Sequence, residues 1–545
     1  MLKRLRGYEF LREHFTLSAF PCARPARVGS VTKVVQRADG LEVPASVAPT
    51  SQEPLEHVLF ALKHEGVNLQ ILAQCLPRIA AGPLTEAFRS SPASKYIRIT
   101  AYLWEQFNGR ELENVPPAIG PYVPLFDPSQ YLTGKPRRNS KWRVDFNGLG
   151  SLRFCPTVER TSAIAALLAQ DTLGHAQAFI EGMKPETLER TMSWSYLSET
   201  ESSFAIEREK PSASKAEAFA QLLMQARDST PITEKYLVDL QNLAVTNPLE
   251  RDLEFRNRQN WLRGAGSGVL GITYVPPAPE LVPELMQAIM DMLNEPDPAQ
   301  SPLVIGALAS FAFVFVHPFM DGNGRLSRFL FHKAVCQSEV LKQGLVLPIS
   351  IAMKRNEDQY LQALKSFSAP ARRLWDVLMI DDENFEFTFK GDPSIYRYWD
   401  ATPCVEFGLR MAEQSLEVDL RQETEYLRNH DAIARQVNER IDLNSNTLAL
   451  MVRLCLQNEG RFSNGKRKAF LSKGYSAEML AVVESVATGV LAGRAEDGEA
   501  DGDDMIPNAE TRTAMEESRA MMAERRDRFA TADELFADLE KNRRQ

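Results

Sequence analysis

Residues 302 to 316 read PLVIGALASFAFVFV, a stretch with no charged side chain. A helix that is apolar on every side belongs either at the centre of a domain or across a membrane. This run falls short of the roughly 20 residues a bilayer-spanning helix needs, so a buried core helix is expected and no membrane partner. The 545 residues suffice for three or four domains at about 150 residues each, so other elements can enclose this segment. Pro318 pushes the residue before it out of the helical region, which predicts that the helix ends near His317.

Beyond the helix lies HPFMDGNGRLSR, residues 317 to 328. In MDGNGR, Gly322 and Gly324 are free to take positive φ, so successive backbone N–H groups can turn inward as an anion nest. LSRFLFHKAVCQSEVL then reads as a second helix, whose N-terminus adds partial positive charge to that nest. Arg325 and Arg328 are neighbours on its first turn, suited to two further phosphate groups. Asp321 is a hard oxygen ligand of the kind a phosphate-bridging Mg²⁺ accepts. His317 is left as the base beside a polyphosphate, placed to remove the proton of an incoming hydroxyl. Phe319 reads as an anchor for the loop, and His57, His175 and His332 as core side chains.

This stretch matches H-x-F-x-[DE]-G-N-G-R-x-x-R at all eight fixed positions, and in this the chain resembles Fic-domain proteins of the Fic/Doc superfamily. The likeness runs over about residues 230 to 370, from RNRQNWLRG through a flap and a PP turn to NEDQYLQAL. It implies a mainly α fold, a helical Fic domain with a small β-hairpin flap, flanked by helical N- and C-terminal regions. It also implies a protein adenylyltransferase that moves AMP from ATP to a Ser, Thr or Tyr hydroxyl of a target protein. In that role His317 is the base and Asp321 holds Mg²⁺, while Gly322, Asn323 and Gly324 bind the phosphates and Arg325 and Arg328 clamp the triphosphate. Relatives that phosphorylate their target carry Lys where this chain has Gly324, which favours nucleotidyl transfer.

Two further stretches bear on that site. In GAGSGVLGITYVPP, Gly266, Gly268 and Gly271 satisfy G-x-G-x-x-G, yet they lead into a strand-like segment ending in two prolines and cannot open a helix. A hairpin is expected instead, with Gly268, Ile272 and Thr273 on a flap where a target segment docks against an exposed edge. Upstream, Ser203 and Glu207 share one face of a probable helix at i and i+4. They resemble the inhibitory motif [ST]-x-x-x-E-[GN] of many Fic proteins, which implies that Glu207 forms a bidentate pair with Arg328 and blocks the γ-phosphate. Arg208 departs from the Gly or Asn of that motif. The same glutamate orients water for AMP removal in some relatives, so a de-AMPylase or bifunctional enzyme stays open. So does a different class, a partner-binding protein that uses the Fic core as a nucleotide-binding scaffold.

Composition narrows the remainder. The net charge of −9 disfavours nucleic acid as a main partner. Six scattered cysteines without a C-x-x-C pair indicate neither zinc nor disulfides. The basic start MLKRLRGYEFLREHF is interrupted by Glu9 and Glu13, so no Sec-type signal is read and a cytoplasmic location is expected.

The chain divides into a helical N-terminal region at 1–115, whose first 50 residues show no periodicity, and an irregular connection at 116–160. A helical segment with the inhibitory motif at 161–229 follows, with Thr157 as its expected cap, then the Fic catalytic domain at 230–375 and a helical C-terminal region at 376–495. An acidic linker occupies 496–504. The tail at 505–545, with Asn508 and the Thr531–Glu534 box as helix caps, resembles the toxin-binding half of antitoxins and implies a RelE-type toxin as partner. No heptad or exposed apolar face announces a homo-oligomer, which is left open.

Overall fold

The computed structural model describes residues 5–245, 251–342, 344–381 and 384–493. The acidic linker and the antitoxin-like tail, with their caps, lie outside the described residues. The architecture is mainly α with small sheets.

The central region is built from helices α1 (Pro185–Ile206), α2 (Ala213–Gln225), α3 (Glu234–Ala244), α4 (Val282–Asn294), α5 (Pro302–Val316), α6 (Asn323–Gln337), α7 (Ile349–Arg355) and α8 (Glu357–Arg372). Two hairpins belong to it: β1 (Leu262–Arg263) with β2 (Ile272–Tyr274), and β3 (Trp375–Met379) with β4 (Phe385–Phe389). The uncharged helix α5 opens with Pro302 in its first turn and buries nearly every side chain. It packs on α4, α6 and the helix Thr402–Gln414, in an apolar core that also holds Phe204, Phe319 and Phe329. His317 closes α5 in the left-handed region, φ 50° and ψ 61°, consistent with the bar that Pro318 sets against a further right-handed residue.

α6 starts at Asn323, three residues before the LSR run that the sequence suggests as its beginning. Only Gly322 therefore takes positive φ, 83°, and Gly324 is an ordinary helical residue whose value is steric.

α1 packs along α7 and reaches α6 through a buried polar cluster. Ser350 donates to the Glu199 carboxylate from its backbone N (2.8 Å) and its Oγ (2.6 Å), and His332 Nε2 lies 2.9 Å from Glu199 Oε1. Burial raises the Glu199 pKa, but His332 and Ser350 outweigh it and hold the carboxyl below its ordinary value.

Several expectations need correction. Residues 5–43 carry a four-stranded sheet and the helix Gly7–His14, ahead of helices that begin at Pro54. The connection at 116–160 contains a three-stranded sheet of Val123–Pro124, Arg137–Asn139 and Val144–Phe146. Thr157 caps nothing: its backbone bridges to Asp400, and Thr161 caps the helix Ser162–Ala169 by accepting from Ile164 N. The stretch expected as helical from 376 opens with the β3–β4 hairpin, whose aromatic side chains pack under Trp261 of the flap. His175 is exposed and not a core residue, whereas His57 and His332 are buried. Among the described residues, no helix is long and apolar enough to cross a membrane.

Candidate active site

The loop from His317 to Gly322 is held by side chains from α3 and from the segment ahead of the flap. Arg256, 5% exposed, donates from Nε to His317 O (2.7 Å), from Nη2 to Pro277 O (2.6 Å) and Val316 O (3.3 Å), and from Nη1 to Arg258 O (3.0 Å). It thus supports the end of α5 on carbonyls alone, and burial lowers its pKa to about 10. Asn260 Nδ2 donates to Phe319 O and Met320 O, both at 3.2 Å. Asp252 Oδ2 accepts from Met320 N (3.2 Å), and Gln241 Nε2 reaches Asp321 O (3.4 Å). Phe319 is fully buried between Phe255 and Phe313, an anchor as its place in the loop suggests.

His317 Nδ1 lies 3.2 Å from Val314 O, so the tautomer assigned from that contact protonates Nδ1 and leaves Nε2 as an acceptor. Burial lowers its pKa to about 4; the Val314 carbonyl opposes this and the positive charge of Arg256 adds to it. The imidazole is therefore neutral at physiological pH.

Asn323 differs from its expected use. Its side chain turns back into the loop, Oδ1 accepting from Phe319 N (3.0 Å) and Nδ2 donating to Phe319 O (2.8 Å), so only its backbone N–H is left for an anion. Both arginines are buried. Arg325 Nη2 pairs with Asp321 Oδ2 at 3.2 Å, and its guanidinium lies over the Phe204 ring at 5.1 Å. Arg325 Nε and Arg328 Nη1 are buried with no partner among the described residues. Two orphaned cationic donors beside a helix N-terminus suit a ligand with several anionic oxygens.

Glu207 lies against this cradle. Arg328 Nη2 donates to Glu207 Oε1 at 2.9 Å, while Nε donates to Ser203 Oγ (2.7 Å) and Nη2 also to Ser203 O (2.9 Å). The pair is a single contact rather than the bidentate one expected, with Ser203 holding the Nε edge of the guanidinium and Nη1 left out of the contact. A Cβ on Gly324 would collide with the Glu207 carboxylate, which places that carboxylate at the N-terminal turn of α6. The departure at Arg208 has a local answer. Arg208 takes φ 60°, its N–H donates to Ala205 O (3.1 Å) and that of Glu209 to Phe204 O (3.0 Å), the two hydrogen bonds of a Schellman helix end. Gly or Asn suits that left-handed position; Arg adopts it under strain.

On the flap, Gly268 takes φ 55° and opens the turn at Gly268–Gly271. Ile272 turns its side chain inward onto Val275 and Trp375, and its carbonyl accepts from Arg372 Nε at 3.0 Å. Thr273 is exposed, with its hydroxyl donating to Leu262 O at 3.2 Å.

Among the described residues, no cluster of three or more His, Cys, Asp or Glu forms a metal cage. Asp321, its side chain 41% exposed, suits an ion such as Mg²⁺ that takes one carboxylate and draws its other ligands from phosphate and water.

No sequence pattern marks Arg256, Asn260, Asp252, Gln241 or Glu209 for a role at this site. Arg256 and Asn260 lie within RNRQNWLRG, but nothing in that stretch marks which of its polar residues face inward.

Residues 231–335 match the Fic/DOC family model. A protein adenylyltransferase Fic of Nematostella vectensis is 30% identical over 139 residues, and one of Drosophila willistoni is 34% identical over 137. Each match covers 25% of this chain, and 29% and 24% of those relatives, so the chain spans less than a third of their length. A solved Fic family protein of Desulfovibrio desulfuricans G20 overlaps 55% of this chain and 86% of its own, at 20% identity and a TM-score of 0.37.

Proposed function

We propose, on the premise that residues 231–335 form a Fic/DOC domain, that the chain is a protein adenylyltransferase transferring AMP from ATP to a Ser, Thr or Tyr hydroxyl of a target protein. The observation that carries this reading is the neutral, tautomer-fixed His317 beside two buried arginines that still have unpartnered donors. His317 Nε2 accepts the hydroxyl proton as the oxygen bonds to the α-phosphorus. The bond from that phosphorus to the bridging oxygen breaks, pyrophosphate leaves, and the target keeps a phosphodiester-linked AMP. The pKa near 4 belongs to the site without nucleotide; a bound polyphosphate stabilises the imidazolium and raises it.

The N-terminal N–H groups of α6 with Gly322 and Gly324, Arg325 and Arg328 hold the phosphates. Asp321 holds Mg²⁺, which when bound neutralises charge on the phosphates. The flap around Gly268 and Thr273 receives the target segment, with Ile272 supporting it from beneath. Glu207 restrains the enzyme: its carboxylate lies where a phosphate oxygen would meet Arg328 and the start of α6.

The test uses ATP labelled at the α- or the γ-phosphate, with the wild type and the Glu207→Gly and His317→Ala variants. Label from the α-position, stronger in Glu207→Gly and reduced about 10²- to 10⁴-fold in His317→Ala, supports the reading. Transfer of γ-label alone, or no label from either position in Glu207→Gly, refutes it.

A further inference from the structure

Glu207 is not the only carboxylate on the motif arginines. Arg325 Nη1 donates to Glu209 Oε2 at 3.1 Å and to Ala244 O at 3.2 Å. The Schellman end of α1 makes the contact possible, since Arg208 reverses the chain and carries Glu209 back over α6. Glu207 at the cap position and Glu209 two residues on thus reach different arginines, Arg328 and Arg325.

A second cation stands on the other side of Glu209. Lys215 Nζ, near the start of α2, lies 3.9 Å from the same Oε2. Both cations also lie over the buried Phe204 ring, Arg325 at 5.1 Å and Lys215 at 6.0 Å. Glu209 is therefore placed between a buried arginine and a partly exposed lysine. Its side chain is 37% exposed, so a small rotation takes it from one to the other with its own carboxylate still in reach of water.

We infer that Glu209 is a second gating carboxylate, which occupies Arg325 when nucleotide is absent and moves to Lys215 when a phosphate group takes its place. This rests on the proposed nucleotide role of Arg325 and deepens it. Two arginines are then masked by two acids from one helix end, and removing Glu207 alone leaves Arg325 occupied. The group that displaces Glu209 is a phosphate oxygen, so the effect belongs to phosphate-bearing ligands and not to the nucleoside.

The experiment measures ATP and adenosine affinity by calorimetry, with Mg²⁺, on the full chain and on Glu209→Gln, Lys215→Met, Glu207→Gly and the Glu207→Gly/Glu209→Gln double variant. Glu201→Gln, an exposed change on the same helix, serves as control. Glu209→Gln is expected to tighten ATP about two- to fivefold, the range for one partly exposed ion pair, and to leave adenosine unchanged. The double variant is expected to exceed Glu207→Gly by a similar factor, and Lys215→Met to weaken ATP. Unchanged or weaker ATP binding on Glu209→Gln in both backgrounds overturns the inference, as does equal tightening of adenosine. α-Label transfer followed in parallel separates the two readings. Tighter ATP without transfer in any variant keeps the gate and sinks the adenylyltransferase; transfer without an effect of Glu209→Gln does the reverse.

Discussion

Gly324→Ala tests the placement of Glu207 without any reference to activity. Gly324 is helical, so alanine there would by itself strengthen the start of α6, by at most about 1 kcal/mol. In the wild type, however, the new methyl collides with the Glu207 carboxylate, the mobile end of a side chain that can swing out towards solvent. What is lost is the 2.9 Å charge-assisted hydrogen bond to Arg328. Such bonds contribute about 1.5–3 kcal/mol when well buried. Glu207 is about one third exposed, so about 1–2 kcal/mol is the better figure. The loss falls on the last turn of α1, where the Arg208 and Glu209 amides donate to Ala205 and Phe204. Hydrogen exchange in peptides covering that turn should speed up about 5- to 30-fold in Gly324→Ala. In a Glu207→Gly background the methyl meets no carboxylate, and the same substitution should leave exchange there within about twofold. Equal acceleration in both backgrounds would refute the reasoning, since the methyl would then be acting on α6 itself.

Arg208→Gly should stabilise the same turn by about 1 kcal/mol, because glycine takes φ 60° without the steric cost an L side chain bears; about fivefold slower exchange of the Arg208 and Glu209 amides is the check, and unchanged rates would mean that the strain is relieved elsewhere. The His317 imidazole should stay neutral down to about pH 5 in the nucleotide-free protein, with a titration midpoint near 4 in its NMR shifts. Because that pKa is depressed below the ordinary value of about 6.5, the unfolded chain binds more protons between the two. The contribution of His317 to stability is thus complete above about pH 6.5 and lost as pH falls towards 4. A midpoint at 6 or above would remove the burial argument.

The legible part of the site is the part that is local in sequence. His317, Asp321, Gly322 and the two arginines fall within one loop and one helix start, and loop chemistry follows from residue type and spacing alone. What positions them comes from far away. Arg256 is separated from His317 by 61 positions and Glu209 from Arg325 by 116, and a lone arginine or glutamate in a polar stretch carries no mark of its distant partner. Asn323 shows the opposite failure. Its residue type suits a phosphate ligand, but the loop needs its side chain for the Phe319 backbone, a demand that arises only once the chain has turned at Gly322. The β3–β4 hairpin does leave a mark, since FEFTF alternates with period two, but the run is short and lies between stronger helical patterns.

The C-terminal turns of α1 are held with unequal strength, and that inequality bears on how the cradle can open. Glu199 is fully buried and accepts from Ser350 N and Oγ, so detaching the helix there would break two hydrogen bonds to a buried carboxylate, at about 1.5–3 kcal/mol each. Two turns later, Glu207 and Glu209 are each about one third exposed, so each can leave for water, and a phosphate oxygen that takes its place keeps the buried arginine paired. The cheapest motion that uncovers Arg325 and Arg328 is therefore a fraying of the Schellman turn, with Ser203 and everything N-terminal to it left in place. Ser203 Oγ and O keep two of the Arg328 donors engaged throughout, so that guanidinium stays aimed at the start of α6 while its Glu207 contact breaks. On this account a ligand that opens the site competes with two side chains at a helix end, and not with the packing of the helix.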